Sequence, residues 1–334
     1  MYPELFEIPF IHMSVKSYGL MMVIGFVAAV ALMKRLCRNI TPDPQFITNL
    51  ALYSLIAGVV GSRLFFIVHH FDNFLGRPLD VFAIWEGGLE FLGGLILAIA
   101  VILSYLLYHK LPIRHCLDVL AVGLMLGLAF GRIGCFLNAD CYGKPTELPW
   151  GVRFPYGSFV YISQINADLQ RDRPEPHLKL PREDYLGYGG ENGMWYPKLY
   201  EDLTDKQKYE VSKGKYRCLP GHPTQLYSSA CAALLCLILY LFWRRSQNSP
   251  DNVFAQPGST FALAFILYGI VRFLIEYLRD DNPFEHRSWI MHTIYNVFKG
   301  GTVAQSLSIY MVILGVIFMA TFQKTKPKGI EVTG

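Results

Sequence analysis

The sequence reads GRIGCFLNADCYG over residues 131–143, where a long apolar run ends and a long polar segment begins. This stretch places Arg132, Asn138 and Asp140 among glycines, which allow one backbone to approach another closely. An arginine at the rim of a membrane-spanning helix is costly unless it has a partner or an anionic ligand. The alternative is an arginine that extends to the membrane surface, followed by an ordinary Gly/Asn/Asp loop. Taken alone, the stretch leaves both interpretations open.

The composition is that of a membrane protein. Of the 334 residues, 52% are hydrophobic and 17% are charged, whereas about 25% are charged in soluble domains. Several apolar runs reach the roughly 20 residues needed to cross a bilayer. The net charge of +4 is modest and the basic residues lie beside apolar runs, so no nucleic-acid partner is indicated. We therefore predict an all-α, multi-pass membrane protein.

Seven apolar segments are long enough to span the membrane. They lie at about 15–33, 48–70, 82–108, 116–136, 223–243, 258–278 and 303–322. The basic residues that follow the first, third, fifth and seventh segments share one side, which the positive-inside rule makes cytoplasmic. These are Lys34, Arg35, Arg38, His109, Lys110, Arg114, Arg244, Arg245, Lys324, Lys326 and Lys328. The N-terminus is then outside and the C-terminus is in the cytoplasm.

This topology divides the chain into three parts. Residues 1–136 carry helices one to four, residues 137–222 form an extracytoplasmic head, and residues 223–334 carry helices five to seven with a basic tail. The head is too long for a plain loop. We expect a small α+β unit with strands around Trp150–Phe154 and Phe159–Ile162, and an irregular or partly helical portion over 164–215. A second outer segment, 279–302, carries Arg287, His292 and Lys299.

The polar residues of the predicted spans gather in the outer half of the membrane. They are Tyr18, Arg63, Glu90, Arg132, His222, Tyr268, Arg272, Glu276 and Arg279. No equivalent group is expected in the inner half. A channel or proton path would place polar groups through the full depth, so this distribution favours a site for a lipid headgroup from the outer leaflet.

The charges in this half leave room for an anion. Four arginines face three carboxylates in the set Arg63, Arg132, Arg272, Arg279, Glu90, Glu276 and Asp140. The planar guanidinium fork suits phosphate. The alternative is structural, because Arg272 could pair with Glu276 within one helix and Arg279 could extend to the membrane surface.

Two glycine pairs surround Glu90 in the stretch GGLEFLGG, residues 87–94. Such pairs indicate a broken helix or close backbone contact, which a membrane tolerates where it faces protein or a cavity. Simple packing of small residues between helices is an equally good interpretation.

With these motifs placed, the chain resembles the bacterial prolipoprotein diacylglyceryl transferases. The likeness covers nearly all of the membrane region but not residues 156–217. The matching motifs are YGLM at 18–21, WEGGL at 85–89 followed by GGLI at 93–96, GRIG-x-F-x-N at 131–138, HPTQLY at 222–227, RF-x-x-E-x-x-R at 272–279 and QSLS at 305–308.

The resemblance implies a transferase of the bacterial plasma (inner) membrane. It would move diacylglycerol from phosphatidylglycerol to the thiol of the lipobox cysteine in prolipoprotein signal peptides. A thioether would form and glycerol phosphate would leave, with no cofactor or metal. Motif membership and outer depth together select the substrate-binding candidates Tyr18, Arg63, Arg132, Asn138, Asp140, Gly143, Tyr268, Arg272, Glu276 and Arg279.

The catalytic candidates are Arg132, Arg272, Glu90 and His222. The chain has Leu92 where the family it resembles carries a histidine, so the base that takes the thiol proton is open. Glu90 is the first substitute and His222 the second. Two rival functions are a diverged paralogue that binds outer-leaflet lipid but uses another acceptor or is inactive, and a seven-helix receptor or channel.

The seven cysteines do not form a metal-binding pattern. Four of them, Cys37, Cys116, Cys231 and Cys236, lie in or beside apolar helices, where cysteine usually packs as a small hydrophobe. Because the outer side is oxidising, we expect a disulfide from Cys141 to Cys218 at the neck of the head. A bridge from Cys135 to Cys141 and three free thiols are the alternatives, since connectivity does not follow from sequence.

Overall fold

Seven long helices dominate the computed structural model, which describes residues 4–8, 13–38, 40, 43, 45–74, 78–83, 87–190, 193–248, 256–282 and 301–324. Within these ranges, seven helices are long and apolar enough to cross a membrane. They are α1 (Ser17–Cys37), α2 (Gln45–His69), α4 (Phe91–Tyr108), α5 (Ile113–Asn138), α9 (Thr224–Asn248), α10 (Ser259–Glu276) and α11 (Val303–Lys324). The prediction of a multi-pass all-α membrane protein is confirmed.

Short elements connect and extend these helices. The helical ones are α3 (Phe71–Phe74), α6 (Phe159–Ile165), α7 (Arg182–Tyr185), α8 (Asp205–Ser212) and the 3₁₀ turns Pro78–Phe82, Leu169–Arg171 and Tyr200–Asp202. Two antiparallel hairpins join β1 (Glu4–Ile8) to β2 (Met13–Lys16) and β3 (Leu186–Gly189) to β4 (Trp195–Pro197).

The helices pack in neighbouring pairs. In the described residues, α5 contacts α1, α9 and α10, while α10 also packs along α11 and α2 packs along α4. A buried apolar core lies where α1, α2, α4, α5 and α9 meet, and it includes Cys37, Leu50, Leu106, Val119 and Trp243.

The two glycine pairs around Glu90 play different roles: the first interrupts the helix, and the second packs between helices. Gly87 and Gly88 have φ of +93° and +70°, so the chain enters α4 through backbone that a side chain would strain. Gly93 and Gly94 instead face α2, where an added Cβ would lie 2.5 Å and 2.6 Å from the carbonyl oxygens of Gly61 and Gly58. The third span therefore begins at Phe91, not near residue 82 as we expected.

The predicted strands of the head are wrong. Val152 makes only a single bridge, to Gly221, and Phe159–Ile165 is a helix. Ser158 caps this helix by accepting the N–H of Tyr161. Its buried residues are Val160, Tyr161, Gln164 and Ile165, a helical spacing with no alternation along a strand. The strands lie instead at 186–189 and 195–197, inside the portion expected to be irregular or partly helical.

A buried carboxylate lies at the end of α5 opposite Arg132, where no polar group was expected. Asp118 is 4% exposed and accepts the backbone N–H of Gly258 at 2.7 Å and of Phe261 at 2.8 Å. These are donors that the first turn of α10 leaves unpaired. Asp118 therefore caps α10. The sequence did not predict this role, because the capped residues lie about 140 positions later. The predicted outer residues Arg287, His292 and Lys299, together with Trp85 and Glu86, lie outside the described ranges.

The contact between α2 and α4 predicts that alanine substitution affects stability very differently at two glycines of α2. In Gly61→Ala the new Cβ would lie 2.5 Å from the Gly93 carbonyl oxygen and 2.7 Å from the Leu97 Cβ, whereas in Gly58→Ala it would meet nothing within 4 Å. We expect Gly61→Ala to lower stability by about 1–3 kcal/mol through overpacking. Gly58→Ala should be neutral or raise it, since alanine favours helix by about 1 kcal/mol. Thermal unfolding in detergent compares the two, and equal melting temperatures would contradict this packing.

Candidate active site

Arg132 lies in the next-to-last turn of α5 and is half-buried. Its Nη1 lies 3.5 Å from the Cys141 sulfur. Among the described residues it makes no ion pair with a carboxylate. A guanidinium that is withdrawn from solvent but not neutralised by an acid is suited to an anionic ligand.

Arg272 of α10 faces Arg132 across a small cavity. The cavity is lined by Leu128, Arg132, Ser228, Ala232, Leu235, Tyr268, Val271, Arg272 and Ile275, so it lies between α5, α9 and α10. Its volume of about 10 Å³ is enough for a single water molecule. The fold thus brings together the two arginines that the sequence placed at one depth, in a nearly closed arrangement.

Glu276 holds Arg272 in place. Arg272 Nη1 donates to Glu276 Oε2 at 2.6 Å, and Asn282 Nδ2 donates to Glu276 Oε1 at 2.6 Å. Arg279 Nε lies 3.9 Å from the same carboxylate. The Glu276 side chain is 1% exposed. The pairing within one helix, considered above as an alternative to a ligand site, is therefore present, and the same arginine also lines the cavity.

A short backbone bridge attaches the head to the end of α10. The Lys144 N–H donates to the Leu278 carbonyl at 2.8 Å, and the Asp280 N–H donates to the Tyr142 carbonyl at 3.1 Å. Gly143 sits at the centre, where an added Cβ would lie 2.5 Å from the His222 carbonyl oxygen and 2.8 Å from that of Leu278. Only glycine fits here, so Gly143 sets the approach of the head, α9 and α10.

Three further candidates surround the end of α5. Tyr18 is 39% exposed and lies over Gly134, where an added Cβ would be 3.1 Å from its ring. Asn138 donates to Asp140 Oδ2 at 2.9 Å, while Asp140 Oδ1 is buried with no hydrogen-bond partner in the described structure. Gln225 Nε2 donates to the Asp140 carbonyl at 2.6 Å, which joins this turn to α9.

Arg63 and Glu90 form a separate cluster between α2 and α4. Arg63 donates to the carbonyl oxygens of Val81 at 3.0 Å, Gly87 at 2.7 Å and Gly88 at 3.2 Å, and also to that of Asp80. Its donors therefore hold the loop that leads into α4.

Glu90 lies at the end of this loop beside two histidines. Its Oε2 lies 2.7 Å from His69 Nδ1 and its Oε1 lies 3.9 Å from His70 Nδ1. Within the described residues, Glu90 makes no hydrogen bond or ion pair with Arg132 or Arg272 and does not line their cavity. The two histidines were missed by the sequence analysis, although they follow directly at the end of the second apolar run.

His222 lies just before α9 and borders Gly143. Its Nδ1 is 3.4 Å from the Tyr227 hydroxyl, which in turn accepts Trp150 Nε1–H at 2.8 Å. Burial, and then the positive charge of Lys144, lowers the pKa of His222 from its ordinary value. His222 is therefore neutral at neutral pH and able to accept a proton.

A family model described as prolipoprotein diacylglyceryl transferase matches residues 3–321. This chain belongs to that family. The match includes the six motifs as well as the head, and it favours a transferase over a receptor or channel.

Curated relatives of the family resemble the chain over most of their length. A protein of Burkholderia cenocepacia (strain HI2424) is 28% identical over 321 residues, which cover 92% of this chain and 90% of the relative. A protein of Xanthomonas axonopodis pv. citri (strain 306) is 28% identical over 327 residues, covering 94% and 92%. Both are named phosphatidylglycerol–prolipoprotein diacylglyceryl transferase.

In this family member, part of the head without motif matches closes over the end of α10. Asp280 is contacted by Arg173 at 2.8 Å, His177 at 3.4 Å and Arg171 at 3.6 Å. Burial opposes ionisation of Asp280, but the hydrogen bond from His177 and the charges of Arg173 and Arg171 bring its pKa below the ordinary value. No motif in the sequence signals this clamp, because its members are about 100 residues apart.

The predicted disulfide from Cys141 to Cys218 is wrong. All seven cysteines are free thiols, and the two thiols have different neighbours. Cys218 packs in the head core and its sulfur lies 3.4 Å from Gln164 Oε1. The Cys141 sulfur lies beside Arg132 and Cys135. The head is held by the Gly143 bridge and the Asp280 clamp, with no covalent bridge.

The buried position of Glu276 predicts that its charge is required for stability. Glu276→Gln leaves Arg272 without its carboxylate partner, whereas Arg279 keeps Asp281. Breaking a buried pair such as Arg272–Glu276 costs about 3–5 kcal/mol. We expect a large drop in melting temperature and in membrane yield. The control is Glu175→Gln, which removes the fully exposed pair with Lys179 and should leave the melting temperature unchanged. A Glu276→Gln protein with normal yield and full activity would contradict this role.

Proposed function

We propose that this protein transfers the diacylglyceryl group of phosphatidylglycerol to the lipobox cysteine of prolipoproteins. Two facts support this: the chain belongs to the transferase family, and Arg132 and Arg272 line one cavity in which Arg132 has no acidic partner among the described residues. The second observation carries the proposal, since it supplies positive charge for a departing phosphate.

The reaction needs a cation beside the departing phosphate and a base that removes the thiol proton. The cysteine thiolate attacks the glycerol carbon next to the phosphate ester, a carbon–sulfur bond forms and the carbon–oxygen bond breaks. The electrons of that bond leave with glycerol phosphate, whose developing negative charge pre-organised arginines stabilise. A free thiol with a pKa of about 8.5 must first lose its proton to a base or ionise in a positive field.

The arginines divide this work. Arg132 binds the phosphate with a guanidinium that no carboxylate competes for within the described structure. Arg272 donates a hydrogen bond from one nitrogen to Glu276 and also lines the cavity. Because the cavity now holds only about 10 Å³, the headgroup enters as side chains such as Tyr268 move apart. Tyr18, Asn138 and Asp140 then border the headgroup on the side of α5.

The remaining candidates act as supports. Glu276 and Arg279 fix the end of α10, and Gly143 lets the head approach it. Arg63 secures the loop before α4, so we assign it to placing Glu90 and not to binding the phosphate directly.

Two candidates for the base follow from Leu92 at the family's histidine position. Glu90 is the first, with His69 at 2.7 Å to receive the proton onward. His222 is the second, since its lowered pKa keeps it neutral and the bridge at Gly143 places it near the end of α10. Because Leu92 replaces the family's histidine, we keep one alternative function: a diverged family member that binds the lipid without transferring it.

The site is proposed to face the outer leaflet of the bacterial inner membrane. The basic residues at the C-terminal ends of α1, α4, α9 and α11 share one side, which the positive-inside rule assigns to the cytoplasm. Arg132, Arg272 and the head are at the other end of the bundle, which this rule places toward the outer leaflet.

A transfer assay separates the enzyme from the lipid-binding alternative. Purified protein is incubated with radiolabelled phosphatidylglycerol and a peptide that contains a lipobox cysteine. Label in the peptide supports the transferase. Saturable lipid binding without peptide labelling supports the diverged paralogue instead.

Arg132 should be indispensable in this assay. Arg132→Ala removes the guanidinium that no described carboxylate pairs with, and it should abolish transfer while the protein still inserts in the membrane. Arg132→Lys should also be poor, since a point charge replaces the bidentate fork. Arg217→Ala, which changes an exposed arginine of the head, should retain activity. Wild-type turnover in Arg132→Ala would rule out the proposed phosphate site.

The pH dependence of transfer should identify the base. If His222 is the base, activity falls as the pH decreases through a pKa below the ordinary histidine value, and His222→Ala loses this limb together with most of its rate. If Glu90 is the base, Glu90→Gln shows the loss instead. His109→Ala, at the opposite end of α4, is the control and should match the wild type. Wild-type rates and profiles in both test variants would mean that neither residue is the base.

A further inference from the structure

Two cysteines that the proposed reaction does not use lie next to Arg132. Cys135 is buried in the last turn of α5, and Cys141 is half-buried just beyond the end of that helix. Their sulfur atoms and a carboxylate oxygen of Asp140 all lie within 4.8 Å of one another. This is close enough for the two side chains to interact directly.

A turn of the backbone directly after α5 brings the two cysteines together. Ala139 and Cys141 have φ of 58° and 55°, a conformation that is uncommon for residues other than glycine. The Asp140 N–H donates to the Cys135 carbonyl at 3.2 Å. The chain thereby folds back and places the Cys141 sulfur over the last turn of α5.

Cys141 has the surroundings of a reactive thiol. Its pKa is lowered to about 7, chiefly because Cys135 donates a hydrogen bond to its sulfur, with further help from the charges of Arg279 and Arg132 against the effect of burial. Cys218 is the opposite case, since burial raises its pKa to about 11. A thiolate is the form that attacks disulfides, so Cys141 is the reactive member of the pair.

We propose that Cys135 and Cys141 form a redox-active pair whose disulfide increases the affinity of Arg132 for the phosphate of the lipid. The link to lipid binding rests on the proposed function of Arg132. In the dithiol form, the Cys141 sulfur lies 3.5 Å from Arg132 Nη1 and, as a thiolate, cancels part of its charge. A disulfide sulfur carries no charge, so oxidation leaves the guanidinium to the anion.

The oxidation is a two-electron exchange with a disulfide-carrying donor. The Cys141 thiolate attacks one sulfur of the donor, the donor's sulfur–sulfur bond breaks and a mixed disulfide forms. Cys135 then loses its proton to a base, with a carboxylate oxygen of Asp140 within 4.8 Å of its sulfur. The Cys135 thiolate displaces the donor from Cys141. The pair ends as an intramolecular disulfide and the donor as a dithiol, which has gained two electrons and two protons.

Peptide mapping of the full chain tests whether the Cys135–Cys141 disulfide forms. The protein in detergent micelles is equilibrated with oxidised or reduced glutathione, quenched in acid and alkylated. We expect a Cys135–Cys141 disulfide after oxidation and alkylation of both residues after reduction. Alkylation of both cysteines in the oxidising buffer overturns the proposal. So does bound zinc at one equivalent that protects both thiols, because the cluster would then be a metal site.

Lipid-binding measurements test whether the disulfide changes the affinity for the phosphate. The dissociation constant for phosphatidylglycerol in mixed micelles should fall on oxidation by roughly fivefold, the order of one water-screened charge contact. Cys135→Ser should remove this redox dependence, whereas Cys218→Ser should keep it. A disulfide that forms without changing the dissociation constant overturns the coupling. Because mapping and binding do not need turnover, they give an answer even if the transfer reaction is not observed.

Discussion

The carboxylate of Glu276 organises the end of the helix bundle that carries the head. It is almost fully buried and is bonded to Arg272 and Asn282, with Arg279 close by. A buried charge of this kind is stable only when its partners are held in place. The same carboxylate therefore orients Arg272 at the cavity and fixes the end of α10, to which the head attaches. The proposed phosphate site and the attachment of the head to α10 therefore both depend on this carboxylate.

Arg132 and Arg63 show two different ways to keep an arginine in a membrane protein. Arg63 is surrounded by backbone carbonyl oxygens, which accept hydrogen bonds from its guanidinium but do not neutralise its positive charge. Arg132 has a thiol and a small cavity instead. This contrast is what makes Arg132 the better candidate for an anionic ligand, and it could not be read from sequence because both arginines occupy the same kind of position in an apolar run.

Local signals predicted the parts of the structure that depend on local interactions. Apolar length predicted the seven helices, and the shared depth of Arg132 and Arg272 anticipated that they would lie together. The stretch 159–162 was misread as a strand, because a short apolar run does not distinguish strand from helix until a cap such as Ser158 is recognised. The histidines at Glu90, the Asp280 clamp and the Asp118 cap depend on tertiary contacts between distant segments, for which a single sequence carries no periodic signal.

The carbonyl cage of Arg63 has a consequence for how the chain enters the membrane. Its acceptors lie 17 to 25 positions later in the sequence, between Asp80 and Gly88. Until the ribosome has synthesised that loop, the Arg63 guanidinium of a nascent α2 lacks these acceptors, which is unfavourable for a charged side chain in a membrane. The favourable unit of integration is thus the hairpin of α2 and α4, whose glycine contacts then close it.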